Sequence, residues 1–219
     1  MAHLPCTILP GILAKSKADF LKRYKRIAAA TPIVHVDVMD GKFVKQKTWA
    51  TVAEIAKLKS KTAFEIHLMV NAPLPVILNW MKVRGFERAI VHVESPVKLA
   101  EVITACRSRC IEVVLAISPG TPLSRLTPYL KTINGVQVMG GRPGKSGQPL
   151  NPKTLATVRA IRKKAPRLPI AFDIGVNRET IQDLVRAGVT RAVSTSAIAT
   201  AKNPPAELRA LTRLARRQV

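Results

Sequence analysis

The chain has 219 residues, of which 47% are hydrophobic, and its 36 lysines and arginines against 13 aspartates and glutamates give a formal charge of +23. No apolar run approaches the length of a membrane span, and the N-terminus lacks the features of a signal peptide, so we expect a soluble, cytoplasmic protein with no membrane insertion. At this length we predict a single domain with one large core.

Short β-branched runs alternate with segments of helical apolar spacing along the whole chain. The runs predicted as strands are TILP, IVHVDVMD, AFEIHLMV, AIVHVES, EVVLAIS, GVQVMG, PIAFDIG and RAVSTSA. The helical segments are ADFLKRYKRIAAA, WATVAEIAKLKS, PLPVILNWMKVRG, VKLAEVITACRSR, LSRLTPYL, NPKTLATVRAIRKKA, ETIQDLVRAG and PAELRALTRLARR. Repeats of about 25 residues predict an α/β fold, a single (β/α)8 TIM barrel over residues 1–219. An open doubly wound sheet is disfavoured because no GxGxxG turn follows the first strand.

Polar side chains share one face of three predicted strands. His35 and Asp37 lie opposite the valines of the second strand, His67 and Met69 share a face of the third, and Asp173 ends the seventh. Taken singly, each polar residue is explained by a core hydrogen bond or a helix cap. Together, two imidazoles and two carboxylates at the rim of a barrel favour a site for one divalent metal ion, Zn, Fe, Mn or Co.

Two further groups of residues lie at strand ends. His92 shares its face with Glu94, which predicts a supporting or purely structural role for the pair. Met39, Met69 and Met139 form either a soft apolar collar that excludes water from a polar site or ordinary core packing.

The loop GRPGKSGQ, residues 141–148, is rich in glycine. Gly144, Lys145 and Ser146 match the end of a Walker A motif, but Met139 replaces the glycine required five positions earlier, and prolines replace the helix. We therefore predict an anion loop whose backbone amides face a phosphate monoester. The loops DIGVN and STSAI follow the seventh and eighth strands, where barrels often bind phosphate.

The basic composition predicts non-specific binding of polyanions, since a field of this size attracts them whatever the fold. The basic residues are spread over nearly every predicted helix and few aromatic residues accompany them, so a dedicated nucleic-acid site is not indicated. The three cysteines show neither a CxxC pair nor a zinc-binding spacing, and we expect reduced thiols.

These motifs together resemble the ribulose-phosphate 3-epimerase family over almost the whole chain. HVDVMDGKFV, HLMV, PGTPL, VMGGRPGKSGQ, FDIGVN and VSTSAI follow in the family's order at about its spacing. TILP is similar to the family's first strand, with Thr7 in the place of its serine. The resemblance implies that His35, Asp37, His67 and Asp173 hold the metal, and that the two aspartates act as acid and base.

The resemblance also implies a substrate, a phosphorylated ketose. D-ribulose 5-phosphate and D-xylulose 5-phosphate would be interconverted by proton transfer at C3, with the metal ion as the cofactor. We expect a homo-oligomer. The implied substrate-binding residues are Thr7, Met39, Met69, Met139, Gly144, Lys145, Ser146, Gly147, Gly175, Thr195 and Ser196.

The chain departs from the family pattern around the implied phosphate. Ile174 and Thr195 stand where the family usually has glycine, and Lys145 and Ser146 replace an aromatic residue and a glycine. A β-branched side chain there would obstruct a phosphate that lies against bare backbone, unless Lys145 or the Thr195 hydroxyl compensates. Two alternatives follow: an epimerase of another ketose phosphate such as a hexulose 6-phosphate, or a catalytically degenerate basic barrel that binds nucleic acid.

Overall fold

The computed structural model describes residues 5–58 and 61–217. Eight parallel strands pair in chain order, and the last pairs back onto the first, so the sheet is a closed barrel. They are β1 Thr7–Ile12, β2 Ile33–Met39, β3 Ala63–Met69, β4 Phe86–His92, β5 Glu112–Ile117, β6 Gly135–Met139, β7 Ile170–Asp173 and β8 Arg191–Ser194. The predicted (β/α)8 barrel is confirmed.

Helices occupy most of the segments between the strands. They are α1 Lys17–Ile27, α2 Val52–Ile55, α3 Pro73–Trp80, α4 Leu99–Arg107, α5 Lys153–Lys164, α6 Ile181–Ala187, α7 Ser196–Thr200 and α8 Pro204–Arg216. Polar side chains begin two of them: Ser16 accepts a hydrogen bond from the backbone N–H of Asp19 (3.2 Å), and Asn203 accepts one from Ala206 (3.1 Å).

Three helical segments differ from the prediction. Two 3₁₀ turns replace the helix predicted over 123–130, since Pro128 has no N–H with which to continue an α-helix. The helix predicted over 49–60 is reduced to α2, and the N–H of Trp49, which precedes it, bonds to the carbonyl of Ala14 (2.8 Å); residues 59 and 60 lie outside the described residues. The short helix α7 was not predicted.

The strands bury both of their faces, as expected for a parallel barrel. Towards the helices, Phe64 of β3 lies 5.8 Å from the ring of Tyr24 in α1 and 6.2 Å from Trp80 in α3. Towards the axis, a smaller apolar cluster lies beside the polar residues of β2 and β3. Its members are Ile90, Val114, Ala116, Met139 and Ile174.

Two further predictions, on membrane spans and on cysteines, can be compared with the structure. Among the described residues, the helices are too short or too polar to cross a bilayer. Cys6, Cys106 and Cys110 are free, as predicted.

Phe64 tests the packing of the sheet against its helices. Phe64→Ala should lower the free energy of unfolding by about 3–5 kcal/mol, because it leaves a cavity in a fully packed layer. Leu78→Ala on the exposed side of α3 should change it by no more than about 0.5 kcal/mol. Urea unfolding of both variants measures this, and equal losses would contradict the packing described here.

Candidate active site

The register of β2 and β3 brings the predicted metal ligands together. The strands pair without a slip, so Asp37 lies directly beside His67, and both side chains point to the axis. Asp173, the last residue of β7, reaches the same end of the barrel. His35 completes a buried group of four whose ligand atoms all lie within 4.8 Å of one another. We call these four residues the His/Asp cluster.

The distances within the His/Asp cluster fit a divalent cation. Nδ1 of His67 is 3.0 Å from Oδ1 of Asp37 and 3.5 Å from Oδ2 of Asp173. Nε2 of His35 is 3.6 Å from the same Asp37 oxygen and, although buried, has no hydrogen-bond partner. An unpartnered buried nitrogen beside two carboxylates and a second imidazole provides the donor set of zinc and related transition metals.

The cluster attracts positive charge. Burial alone would lower the pKa of His35, but hydrogen bonds and charges from Asp37 and Glu65 outweigh it and raise the pKa to about 10. Burial would raise the pKa of Asp37, yet His35 and His67 hold it well below its usual range. The pKa of His67 is raised against its burial by Asp173 and Asp37. His35 and His67 therefore hold protons tightly at the predicted metal position.

A chain of buried charges lies behind His35. Its Nδ1 is 2.6 Å from Oε1 of Glu65, Glu65 pairs with Arg88, and Nε of Arg88 donates to Oε2 of Glu112 (2.7 Å). Burial opposes the charge on Glu65, but His35 and Arg88 outweigh it and lower the pKa of Glu65. Neither Glu65 nor Arg88 was predicted, although strand alternation places both on the axis, where they are direct neighbours in the β3–β4 register.

His92 lies behind the other imidazole. Its Nε2 is 2.9 Å from Nε2 of His67, and its Nδ1 is 3.0 Å from Oε2 of Glu94. Oε1 of Glu94 accepts a hydrogen bond from the backbone N–H of Ser118 (2.9 Å). Burial above all, together with the charge of His67, lowers the pKa of His92 despite Glu94. His92 therefore contacts His67, a predicted metal ligand, which is consistent with the supporting role predicted for His92 and Glu94.

A cavity that is open to solvent lies above the His/Asp cluster at the C-terminal ends of the strands. Asp37, His67 and Asp173 line its floor. Nine of the predicted substrate-binding residues also line it: Met69, Met139, Gly144, Lys145, Ser146, Gly147, Gly175, Thr195 and Ser196. Four apolar residues in the lining were not predicted: Leu13, Ile174, Val176 and Val193.

Two predicted substrate-binding residues do not line the cavity. Thr7 is exposed at the first position of β1, in register with Arg191 at the start of β8, so it lies at the opposite end of the barrel and that prediction is wrong. The strand continues beyond TILP, and Gly11 is the residue that reaches the level of His35. Met39 is buried at the end of β2 without contributing to the cavity lining.

The glycine-rich loop after β6 meets the start of α7. Gly144 and Gly147 have φ values of +97° and +77°, which side chains other than glycine rarely adopt. The amide of Gln148 donates to the carbonyl of Lys145 (2.6 Å) and so stabilises the turn. A Cβ placed on Gly147 would lie 3.7 Å from the Ser196 Cβ. Two of the three loops predicted to lie around a phosphate, the loop 141–148 and the STSAI segment, are therefore adjacent.

Ile174 occupies a strained position beside a predicted catalytic residue. Its φ of +76° is unusual for a β-branched side chain and costs of the order of 1–3 kcal/mol. Its backbone N–H donates to Oδ1 of Asp173 (2.8 Å), and its side chain joins the axial apolar cluster with Met139. The strained backbone therefore helps to orient the Asp173 carboxylate.

Thr195, the other β-branched departure, packs over β1. A Cβ placed on Gly11 would lie only 2.0 Å from Oγ1 of Thr195, so the threonine side chain occupies the space above this glycine. The absence of a side chain at position 11 is what allows threonine at position 195. The sequence alone does not reveal that these two residues are in contact, because 184 positions separate them.

Comparison with known sequences agrees with this geometry. A model of the ribulose-phosphate 3 epimerase family matches residues 7–199. The ribulose-phosphate 3-epimerase of Schizosaccharomyces pombe is 31% identical over 202 residues, which are 90% of this chain and 88% of the relative. That of Mycobacterium tuberculosis is 34% identical over 218 residues, 95% and 92% of the two chains. A cytoplasmic isoform from Oryza sativa is 30% identical over 93% of this chain and 92% of its own length.

Solved structures share the barrel at much lower identity. The 3-keto-L-gulonate-6-phosphate decarboxylase of Vibrio cholerae superimposes with a TM-score of 0.74 and 10% identity over 96% of this chain and 97% of its own. A 3-hexulose-6-phosphate synthase gives a TM-score of 0.67 and 17% identity over 96% and 99%. At these identities the likeness establishes the fold alone.

Gly11 and Thr195 form a testable pair. Gly11→Ser should lower the free energy of unfolding by about 1–3 kcal/mol, because the new side chain meets Thr195. Adding Thr195→Gly should recover most of that loss, and Thr195→Gly alone completes the cycle. Urea unfolding of the four proteins gives the coupling energy. Strictly additive effects would show that the two positions do not compete for space.

The raised pKa of His35 predicts how the metal-free protein responds to pH. A group whose pKa is higher in the folded state stabilises that state fully below its unfolded value, about 6.5, and loses this contribution as pH rises through about 10. In chelator-treated samples, the stability advantage of the wild type over His35→Gln should therefore shrink between these pH values. Urea unfolding across the range measures it, and a constant difference would contradict the assignment.

Proposed function

Because the chain belongs to the ribulose-phosphate 3-epimerase family and is therefore an isomerase, we propose that it is a metal-dependent epimerase that interconverts D-ribulose 5-phosphate and D-xylulose 5-phosphate. The observation that carries this proposal is the meeting of two buried carboxylates and two buried imidazoles at one end of the barrel. An open pocket directly above them is lined by the glycine-rich loop and by the start of α7.

The His/Asp cluster would hold one divalent ion, Zn, Fe, Mn or Co. The support is chemical: two nitrogen and two oxygen donors converge, and Nε2 of His35 has no other partner. When bound, such an ion supplies positive charge that stabilises the oxygens of an enediolate. The same four residues attract positive charge without it, as the raised pKa values of His35 and His67 indicate.

Asp37 and Asp173 are proposed as the two proton-transferring groups. Inversion at a carbon next to a ketone requires that a proton leave one face and that another arrive on the opposite face. The two carboxylates reach the axis from β2 and β7, which are separated by β1 and β8, so they approach the cavity from different sides. Oδ1 of Asp173 accepts the Ile174 N–H, which leaves Oδ2 directed towards the cluster.

The phosphate is proposed to lie where the loop after β6 meets α7. Backbone amides around Gly147 and the hydroxyl of Ser196 are available there, and exposed Lys145 adds a positive charge. Both β-branched departures line the same cavity, but each packs against another part of the barrel. Thr195 packs over Gly11, and Ile174 joins the axial apolar cluster. This packing is compatible with a bound phosphate, so we keep D-ribulose 5-phosphate as the proposed substrate.

A panel of ketoses tests the proposed reaction. We expect inversion of D-ribulose 5-phosphate, seen as deuterium uptake at C3 in D₂O, that is lost on chelation and restored by a divalent metal. A hexulose 6-phosphate should react more slowly and unphosphorylated ribulose hardly at all. Turnover only of the hexulose phosphate would overturn the substrate assignment. Absence of turnover after metal addition, with RNA binding that resists moderate salt, would favour the degenerate barrel.

Asp173→Asn tests the role of Asp173, with metal supplied at saturation because the residue also belongs to the His/Asp cluster. Since the amide cannot accept the proton, kcat should fall about 10²–10⁴-fold, with little change in the urea unfolding midpoint. Asp183→Asn on the exposed side of α6 changes the charge equally and should retain wild-type activity. Wild-type turnover by Asp173→Asn would remove Asp173 from the mechanism.

A further inference from the structure

Glu94 is linked to the His/Asp cluster although it lies outside it. The link consists of two short contacts: Nε2 of His67 to Nε2 of His92 at 2.9 Å, and Nδ1 of His92 to Oε2 of Glu94 at 3.0 Å. The imidazoles of His67 and His92 are nearly coplanar, with an interplanar angle of 20° and centroids 5.0 Å apart, so they meet edge to edge through these nitrogens. Both rings are completely buried, so water cannot take the place of either partner.

These contacts determine which nitrogen of His67 carries a proton. A carboxylate only accepts, so Nδ1 of His92 must be the donor to Glu94. The neutral His92 ring then has its lone pair on Nε2, and Nε2 of His67 must donate to it. When His67 is neutral, as a metal ligand must be, Nδ1 therefore carries no proton, and this is the nitrogen that faces Asp37 and Asp173.

The same reasoning gives the opposite result for His35. Its Nδ1 lies 2.6 Å from Oε1 of Glu65, so in the neutral, metal-ligating ring Nδ1 carries the proton and Nε2 carries none. That Nε2 is the buried nitrogen without a hydrogen-bond partner. Arg88 pairs with Glu65 and is in turn held by Glu112, so the carboxylate cannot turn away from His35.

We propose that Glu65 and, through His92, Glu94 are positioning residues that set the two ligand imidazoles in opposite tautomers. A cation is thereby met by Nε2 of His35 and by Nδ1 of His67. This inference rests on the proposed metal site and adds the residues that prepare it. A carboxylate behind a ligand histidine fixes its orientation and increases its basicity, and loss of such a partner typically weakens metal binding about 10–100-fold.

Nitrogen NMR of the zinc-loaded protein tests the tautomers without any substitution. Zn²⁺ has no unpaired electrons, and long-range ¹⁵N–¹H spectra of histidine-labelled protein distinguish protonated from unprotonated ring nitrogens. We expect the proton on Nδ1 in His35 and His92, and on Nε2 in His67. The signal of His3, which lies outside the described residues, is identified with His3→Gln. Protons on the same nitrogen in His35 and His67 would overturn the proposal.

Glu94→Gln tests the cause. The new amide can donate as well as accept, so His92 is no longer restricted to one tautomer and the His67 signals should become mixed. Zinc affinity, measured by competition with a chelator, should fall about 10–100-fold. Glu101→Gln, on the exposed side of α4, removes the same charge and should leave the affinity unchanged.

The outcomes separate this inference from the proposed function. If the wild type binds zinc and inverts the ketose phosphate, but Glu94→Gln keeps both the affinity and the His67 tautomer, only the positioning role is overturned. A purely structural role would lower the unfolding midpoint and leave the tautomer alone. If the wild type binds no divalent metal, the proposed metal site and this inference fail together.

Discussion

The register between β2 and β3 is the constraint on which the site depends. Direct pairing keeps Asp37 beside His67 and His35 beside Glu65, with all four side chains on the axis. A slip of one residue would turn one strand's polar side chains towards the helices, where the packed layer around Phe64 has no room for them. Closure of the barrel then brings Asp173 from β7 to the same point.

Charged and apolar side chains occupy different sides of the barrel interior. On one side, buried charges continue from the His/Asp cluster to Arg88 and Glu112, and each has an opposite charge within hydrogen-bonding distance. Burial costs each ion several kcal/mol of desolvation, and only well-aligned partners offset that cost, so these contacts hold the site in one arrangement. On the other side, the apolar cluster around Met139 and Ile174 limits the access of water.

The two β-branched departures are accommodated by different means. The side chain of Thr195 has space because Gly11, which is distant in sequence, has no side chain. Ile174 instead accepts a strained backbone conformation, and its N–H supports the Asp173 carboxylate. Strain of this kind persists where the surrounding structure enforces it, which is common at functional sites. Both departures leave the His/Asp cluster intact.

The amino-acid sequence by itself determined the eight strands, the barrel and the four positions of the His/Asp cluster, because alternation in a strand is local and the valines of β2 leave His35 and Asp37 only one face. The sequence wrongly placed Thr7 at the substrate, because TILP looks like a complete strand. Only the pairing of β1 with β2 shows that Gly11 is the residue that reaches the rim. Only the tertiary structure decided the Glu65–Arg88 pair, the contact of His92 with His67 and the packing of Thr195 over Gly11. These depend on contacts between distant segments, which exist only once the barrel has closed.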